Sequence, residues 1–127
     1  MDWKFRNDIP IYSQLIEQIE LRIVSGVYAP GERLQSVRDM SMEAGVNPNT
    51  MQRALQELER QGMVYSQRTA GRFVTEDSAL IAAAKKALAK KHIEDYIQSM
   101  AKIGFSGEEM IAVLAESVKE EKANGNT

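Results

Sequence analysis

The chain has 127 residues, a formal net charge of −2, 43% hydrophobic residues and no cysteine. That length and apolar content suit one packed domain with an appendage and argue against wholesale disorder. Disulfides and thiolate metal sites are excluded, and the absence of cysteine agrees with a cytoplasmic protein.

Met1-Asp2-Trp3-Lys4 opens the chain without the apolar stretch of a secretory signal. Apolar residues Ile11, Leu15, Ile19 and Ile23 then recur at steps of four, with Ile16 widening the stripe. This predicts an amphipathic helix over residues 10–26, opened by Pro10 and closed near Gly26. Tyr28-Ala29-Pro30-Gly31 predicts a turn. Ser36 is a good N-cap for a second helix ending near Ala44 at Gly45, and Asp39 stands in for the capping-box acid.

Asn47 can cap a third helix, with Pro48 at the first helical position, where a missing N–H costs nothing. Met51, Ala54, Leu55 and Leu58 face its core side, and Gly62 stops it. Met63-Val64-Tyr65 and Arg72-Phe73-Val74 predict two short strands joined by a broad loop from Ser66 to Gly71. Beyond Glu76 the composition turns alanine- and lysine-rich. It predicts a helix capped by Ser78 and stopped at Gly104, then a last helix from about Gly107 to Lys122 behind the capping box Ser106 to Glu109. Residues 123–127 are predicted to fray. No apolar run approaches the roughly 18 residues of a membrane span; the longest is Ala79 to Ala84.

Helix, tight turn, helix and hairpin in that order describe a winged helix-turn-helix, whose second helix presents its N-terminus to a major groove. Free N–H groups and the positive dipole end suit phosphate there. Asn47 and Asn49 can reach base edges, adenine especially, and Thr50 can meet a phosphate or a thymine methyl. Asn47 can equally serve only as the cap. Ser36 and Arg38 stand at the start of the preceding helix, where the guanidinium reaches a phosphate or guanine, or else pairs with Asp39 or Glu43. Of Gln52 and Arg53, one should face DNA. Arg68 and Arg72 bracket the wing, where arginine suits a narrow minor groove.

Charge gives this reading no support: between Ser36 and Val74, Arg38, Arg53, Arg60, Arg68 and Arg72 stand against Asp39, Glu43, Glu57 and Glu59. Any basic face must come from placement.

These residues together resemble the DNA-binding domain of the GntR family of bacterial transcription regulators. The resemblance covers residues 11–76, introduced by Pro10. It rests on Pro10-Ile11-Tyr12-x-Gln14-Leu15, Gly26-x-Tyr28-x-Pro30-Gly31-x-x-Leu34, Ser36-x-Arg38, Gly45-Val46-Asn47-Pro48-Asn49-Thr50, Arg53-Ala54-Leu55-x-x-Leu58, Gly62 and Gly71-x-Phe73-Val74. It implies a three-helix winged fold and a homodimer on a palindromic operator, with Arg38, Asn47, Asn49, Thr50 and the wing around Thr69 touching double-stranded DNA. Gln35 and Thr69 depart from the family's usual proline and glycine. If the backbone at Thr69 needs positive φ, threonine is strained and crowds the minor groove.

The tail after Glu76 is too short for the family's large effector domains and resembles the short YtrA-type subfamily. Its members usually repress operons for ATP-binding-cassette transporters that include their own gene. The expected division is therefore a winged domain over 1–76 and a two-helix dimerisation segment over 77–127, mainly α with a small β-hairpin. Ala89, Ile93, Tyr96, Met100 and Ile103 alternate by four and three, the spacing of a helix–helix seam, and Ile111, Leu114 and Val118 form a second stripe. Both stripes are expected at a dimer interface, the alternative being that the helices pack back on the winged domain.

Lys85-Lys86 and Lys90-Lys91 read as a solvated face. His92, the one histidine, has only Asp95 at ligand spacing, so no metal, cofactor or catalytic role is expected. The expected function is a dimeric DNA-binding repressor, with small-molecule control at the protomer boundary an open addition. The competing reading is a winged-helix protein-interaction module without specific DNA binding, motivated by the neutral charge and Thr69.

Overall fold

A computed structural model of the chain describes residues 1–125, and the last two positions of the expected frayed end lie outside the described residues. The order is α1 (Ile11–Val24), α2 (Val37–Ala44), α3 (Pro48–Arg60), β1 (Val64–Gln67), β2 (Gly71–Val74), α4 (Ser78–Ile103) and α5 (Gly107–Ala123). The chain divides into two compact units, Met1–Lys86 and a second from Ala87 onward, with the division inside α4.

In the first unit the predicted stripes meet. Leu15, Ile19 and Ile23 of α1 pack with Met51, Ala54, Leu55 and Leu58 of α3, all at most 1% exposed. Burial on that scale contributes about 2 kcal/mol for each large aliphatic side chain. Met40 from α2, Met63, Val64 and Val74 from the hairpin, and Leu34 complete the core. Leu80, Ile81 and Ala84 of α4 also pack against it, which carries this unit past Glu76.

The α2–α3 turn is three residues long, Gly45 to Asn47. Gly45 takes φ 71°, and the N–H groups of Val46 and Gly45 donate to the carbonyls of Ser41 (3.0 Å) and Met42 (3.3 Å). This Schellman closure needs a left-handed residue, which glycine supplies without a Cβ penalty. A stretch absent from the predicted elements also joins the hairpin. Leu34 N–H donates to the Arg72 carbonyl and Val74 N–H to the Glu32 carbonyl, both at 2.9 Å, and Arg33 pairs antiparallel with Phe73. The hairpin thus has a third partner ahead of α2.

An N-terminal arm is tied across α1 and α2. Gln14 accepts from Arg6 N–H (2.8 Å) and donates to its carbonyl (2.9 Å), while Gln18 donates to the Lys4 carbonyl (2.6 Å). The Trp3 indole N–H donates to Glu43 of α2 (3.1 Å), and the Arg22 guanidinium lies 3.6 Å from the Trp3 ring centroid. Arg22, 3% exposed, also donates to the carbonyls of Met1 and Gln18.

In the second unit the Ser106–Glu109 capping box forms as expected, and its backbone hydrogen bond holds the Glu109 carboxyl below the ordinary glutamate range. Tyr96 donates its hydroxyl to the Met110 carbonyl (2.7 Å), and Met110 is buried. Among the described residues no helix is long and apolar enough to cross a membrane. One cap differs from expectation: Asp77 rather than Ser78 caps α4, its carboxylate accepting from the N–H groups of Ala79 and Leu80 at 3.1 Å each. A carboxylate reaches both orphan donors, and Ser78 becomes the first helical residue.

Candidate nucleic-acid interface

The segment leading into α2, Gln52 of α3 and the wing border one groove. Its lining includes Arg33, Ser36, Gln52, Ser66, Thr69 and Arg72. Ser36 caps α2 by accepting from Asp39 N–H (3.1 Å). Arg38 follows, exposed, and makes neither of the ion pairs weighed for it; Glu43 serves Trp3 instead. Asn47 does act as a cap, its side-chain oxygen accepting from Asn49 N–H (2.7 Å), which leaves its amide N–H groups as free donors. Pro48 occupies the first helical position. Asn49 is exposed with its carboxamide unspent among the described residues, and Thr50 beside it is half-buried.

The structure separates Gln52 from Arg53. Gln52 lines the groove, whereas the Arg53 guanidinium sits 4.6 Å from the ring centroid of Tyr12 on α1. One helical position is about 100° of rotation, so the two neighbours cannot share a face.

The wing is tighter than expected. β1 and β2 pair antiparallel from Val64↔Val74 to Gln67↔Gly71, leaving Arg68, Thr69 and Ala70 as the loop instead of Ser66 to Gly71. Ala70 N–H donates to the Gln67 carbonyl (3.1 Å), closing a four-residue turn whose third residue, Thr69, has φ 66°. Threonine there carries the strain foreseen if φ were positive, on the order of 1 kcal/mol. Thr69→Gly is therefore expected to raise unfolding stability by about 1 kcal/mol in denaturant titrations; an unchanged or lower midpoint would show that no strain is stored.

Arg68 stands exposed at the tip. Arg72 does not bracket it: its side chain is turned onto α3, where Nε lies 3.3 Å from the Glu59 carboxylate. Ser66, opposite Arg72 in the hairpin, donates to the same carboxylate (2.5 Å). Glu59 thus anchors the wing to the recognition helix. Nothing in helical periodicity singles it out, because its partners lie on another element. Arg60 pairs with Glu57 (2.6 Å), so each acid of α3 has a cationic partner. The bulk charge balance conceals this arrangement.

A helix, a closed three-residue turn, a second helix with free N-terminal groups and a buttressed hairpin define a winged helix-turn-helix DNA-binding protein. Residues 11–74 match the family described as bacterial regulatory proteins, gntR family. The chain belongs to the GntR family of transcription regulators and is not an enzyme.

It is similar to the HTH-type regulator YhcF of Bacillus subtilis, 38% identical over 111 residues that cover 87% of this chain and 92% of that one. The Bacillus subtilis repressor YtrA is 37% identical over 58% of this chain and 56% of its own. A GntR family regulator from Listeria monocytogenes superposes with a TM-score of 0.82 at 38% identity, covering 88% of this chain and 98% of that one. The AraR DNA-binding domain, solved with operator ORX1, covers 57% of this chain and 93% of its own at 27% identity and TM-score 0.53.

Proposed function

We propose that the protein is a dimeric repressor that binds a palindromic operator in the cytoplasm, the operator controlling an operon such as one for an ATP-binding-cassette transporter. Residues 1–76 serve as the DNA-binding domain and 77–127 as the dimerisation segment. The observation that carries the reading is a pair of exposed side chains, Arg38 at the start of α2 and Asn49 at the start of the recognition helix; Ser36 and Gln52 of the same two segments line a groove with the wing. Ser36, Asn47, Pro48, Thr50 and Gln52 complete the DNA-facing set, with Arg68 and Thr69 at the wing, while Arg53 and Arg72 support the frame.

The tail supports pairing. Ile93, Ile103, Ile111, Leu114 and Val118 are each at least 45% exposed, an apolar surface large for a lone chain. Tyr96 and Met100 are half-buried and Ala89 is exposed. A two-fold axis would bury both stripes and match two half-sites. Repression needs only occupancy of the operator, and YtrA is itself named a repressor.

The test is selection of genomic fragments by the purified protein, including the region upstream of its own gene. Enrichment of a palindrome whose affinity falls steeply with salt is expected, because phosphate contacts release counterions. No enriched sequence would instead favour the protein-interaction module.

A further inference from the structure

The first unit contains eight arginines. Arg6 pairs with Asp8, Arg60 with Glu57 and Arg72 with Glu59, Arg22 is buried against Trp3, and Arg53 lies over Tyr12. Among the described residues, that leaves Arg33, Arg38 and Arg68 without an acidic or aromatic partner. Arg38 and Arg68 are already assigned to DNA; Arg33 lines the same groove with no role assigned to its side chain.

Its position is fixed from two sides. The backbone of Arg33 bridges Phe73 of β2, between the hydrogen bonds made by Glu32 and Leu34. Its side chain runs over Gly71: a Cβ built there would stand 3.1 Å from Arg33 Nε and 3.8 Å from Cζ. Gly71, at φ 111°, therefore does more than admit a turn conformation; its bare backbone is the bed on which the guanidinium rests. Glu32 and Glu43 share a second cleft with Arg33 but form no ion pair with it among the described residues; Glu32 accepts from Ala29 N–H (3.1 Å) and Glu43 from Trp3 (3.1 Å). An oriented guanidinium with its donors unspent lines the groove beside Ser36, Gln52 and Thr69.

We infer that Arg33 is a phosphate-binding residue of the DNA surface, holding a backbone phosphate diester between the strand segment read by α3 and the one approached by the wing. This rests on the DNA reading above. Phosphate rather than a base edge is the expected ligand, because a side chain lying along the sheet presents its fork sideways at the groove wall, and the planar fork matches two phosphate oxygens. Such a contact sets register and carries no base preference.

The test compares Arg33→Gln, Arg33→Lys and Arg38→Ala on the selected operator across a salt series, with thermal midpoints recorded. Arg33→Gln should bind about tenfold more weakly, equally on operator variants, with a log K against log salt slope shallower by about one. Arg33→Lys should restore the slope but only part of the affinity, since it keeps the charge and loses the fork. Affinity and slope unchanged in Arg33→Gln while Arg38→Ala weakens binding would overturn the assignment and leave the interface standing. Loss of affinity at an unaltered slope would also overturn it, since packing on Gly71 would then be the cause. No effect in either Arg33→Gln or Arg38→Ala would remove the interface itself, and the inference with it.

Discussion

Replacing Arg38 or Asn49 with alanine is expected to lower operator affinity by about ten- to a hundredfold, enough to erase a specific shift at physiological salt, while the protein stays folded. Both side chains are exposed and make no hydrogen bond or ion pair among the described residues, so their removal leaves no buried group unpaired. The two should nevertheless differ. A guanidinium on a phosphate or guanine contributes to binding of every sequence and to the salt slope, whereas Asn49 can discriminate by a bidentate contact to adenine. Asn47 is the informative control. Its oxygen is already engaged by Asn49 N–H at 2.7 Å, so Asn47→Ala should destabilise the fold by about 1 kcal/mol through the lost cap. Gel-shift and fluorescence-anisotropy titrations, read beside denaturant midpoints, separate the two kinds of loss. Wild-type affinity in both Arg38→Ala and Asn49→Ala would sink the assigned reading surface.

Placing a carboxylate on the tail should have a comparably large effect by another route. In the doubly substituted Ile111→Asp, Leu114→Asp chain, we expect a monomer by analytical ultracentrifugation and an operator affinity at least a hundredfold weaker. The first loss follows from exposure: Ile111 is 72% and Leu114 46% exposed, so neither holds its own chain together, yet a charge on that face cannot be buried against a second copy. The second follows from avidity, since a tethered second half-site binds at an effective concentration near millimolar, worth 10²–10⁴ in affinity. The thermal midpoint of the winged unit should hold. A dimer that survives the double substitution would move the interface elsewhere, and a monomeric wild-type protein would remove it.

The parts of this molecule legible in sequence are those set by local rules. The stripes of α1 and α3, the Gly45 stop, the Asn47-Pro48 start and the Ser106 box each follow from residues within one or two turns, and each forms. The misplacements come from contacts between elements. Arg72 looked like a wing-tip residue until β2 proved to begin at Gly71, which turns it toward Glu59, 13 residues away. Periodicity separated Gln52 from Arg53 without saying which faced the groove; Tyr12 on α1 settles that. Arg33 carried no signal because a residue between a turn and a cap belongs to no periodic element. Thr69 was readable as a conditional, and its φ of 66° supplies the condition.

The N-terminal arm has a spectroscopic consequence. Trp3 is the one tryptophan in the chain, and every neighbour that holds it, Phe5, Arg22 and Glu43, lies within the first unit. Its emission is thus an unlabelled optical gauge of whether the arm still clasps α1 and α2. Release of the arm on added DNA or altered salt can be followed by that single fluorophore, with no engineered dye and no competing indole.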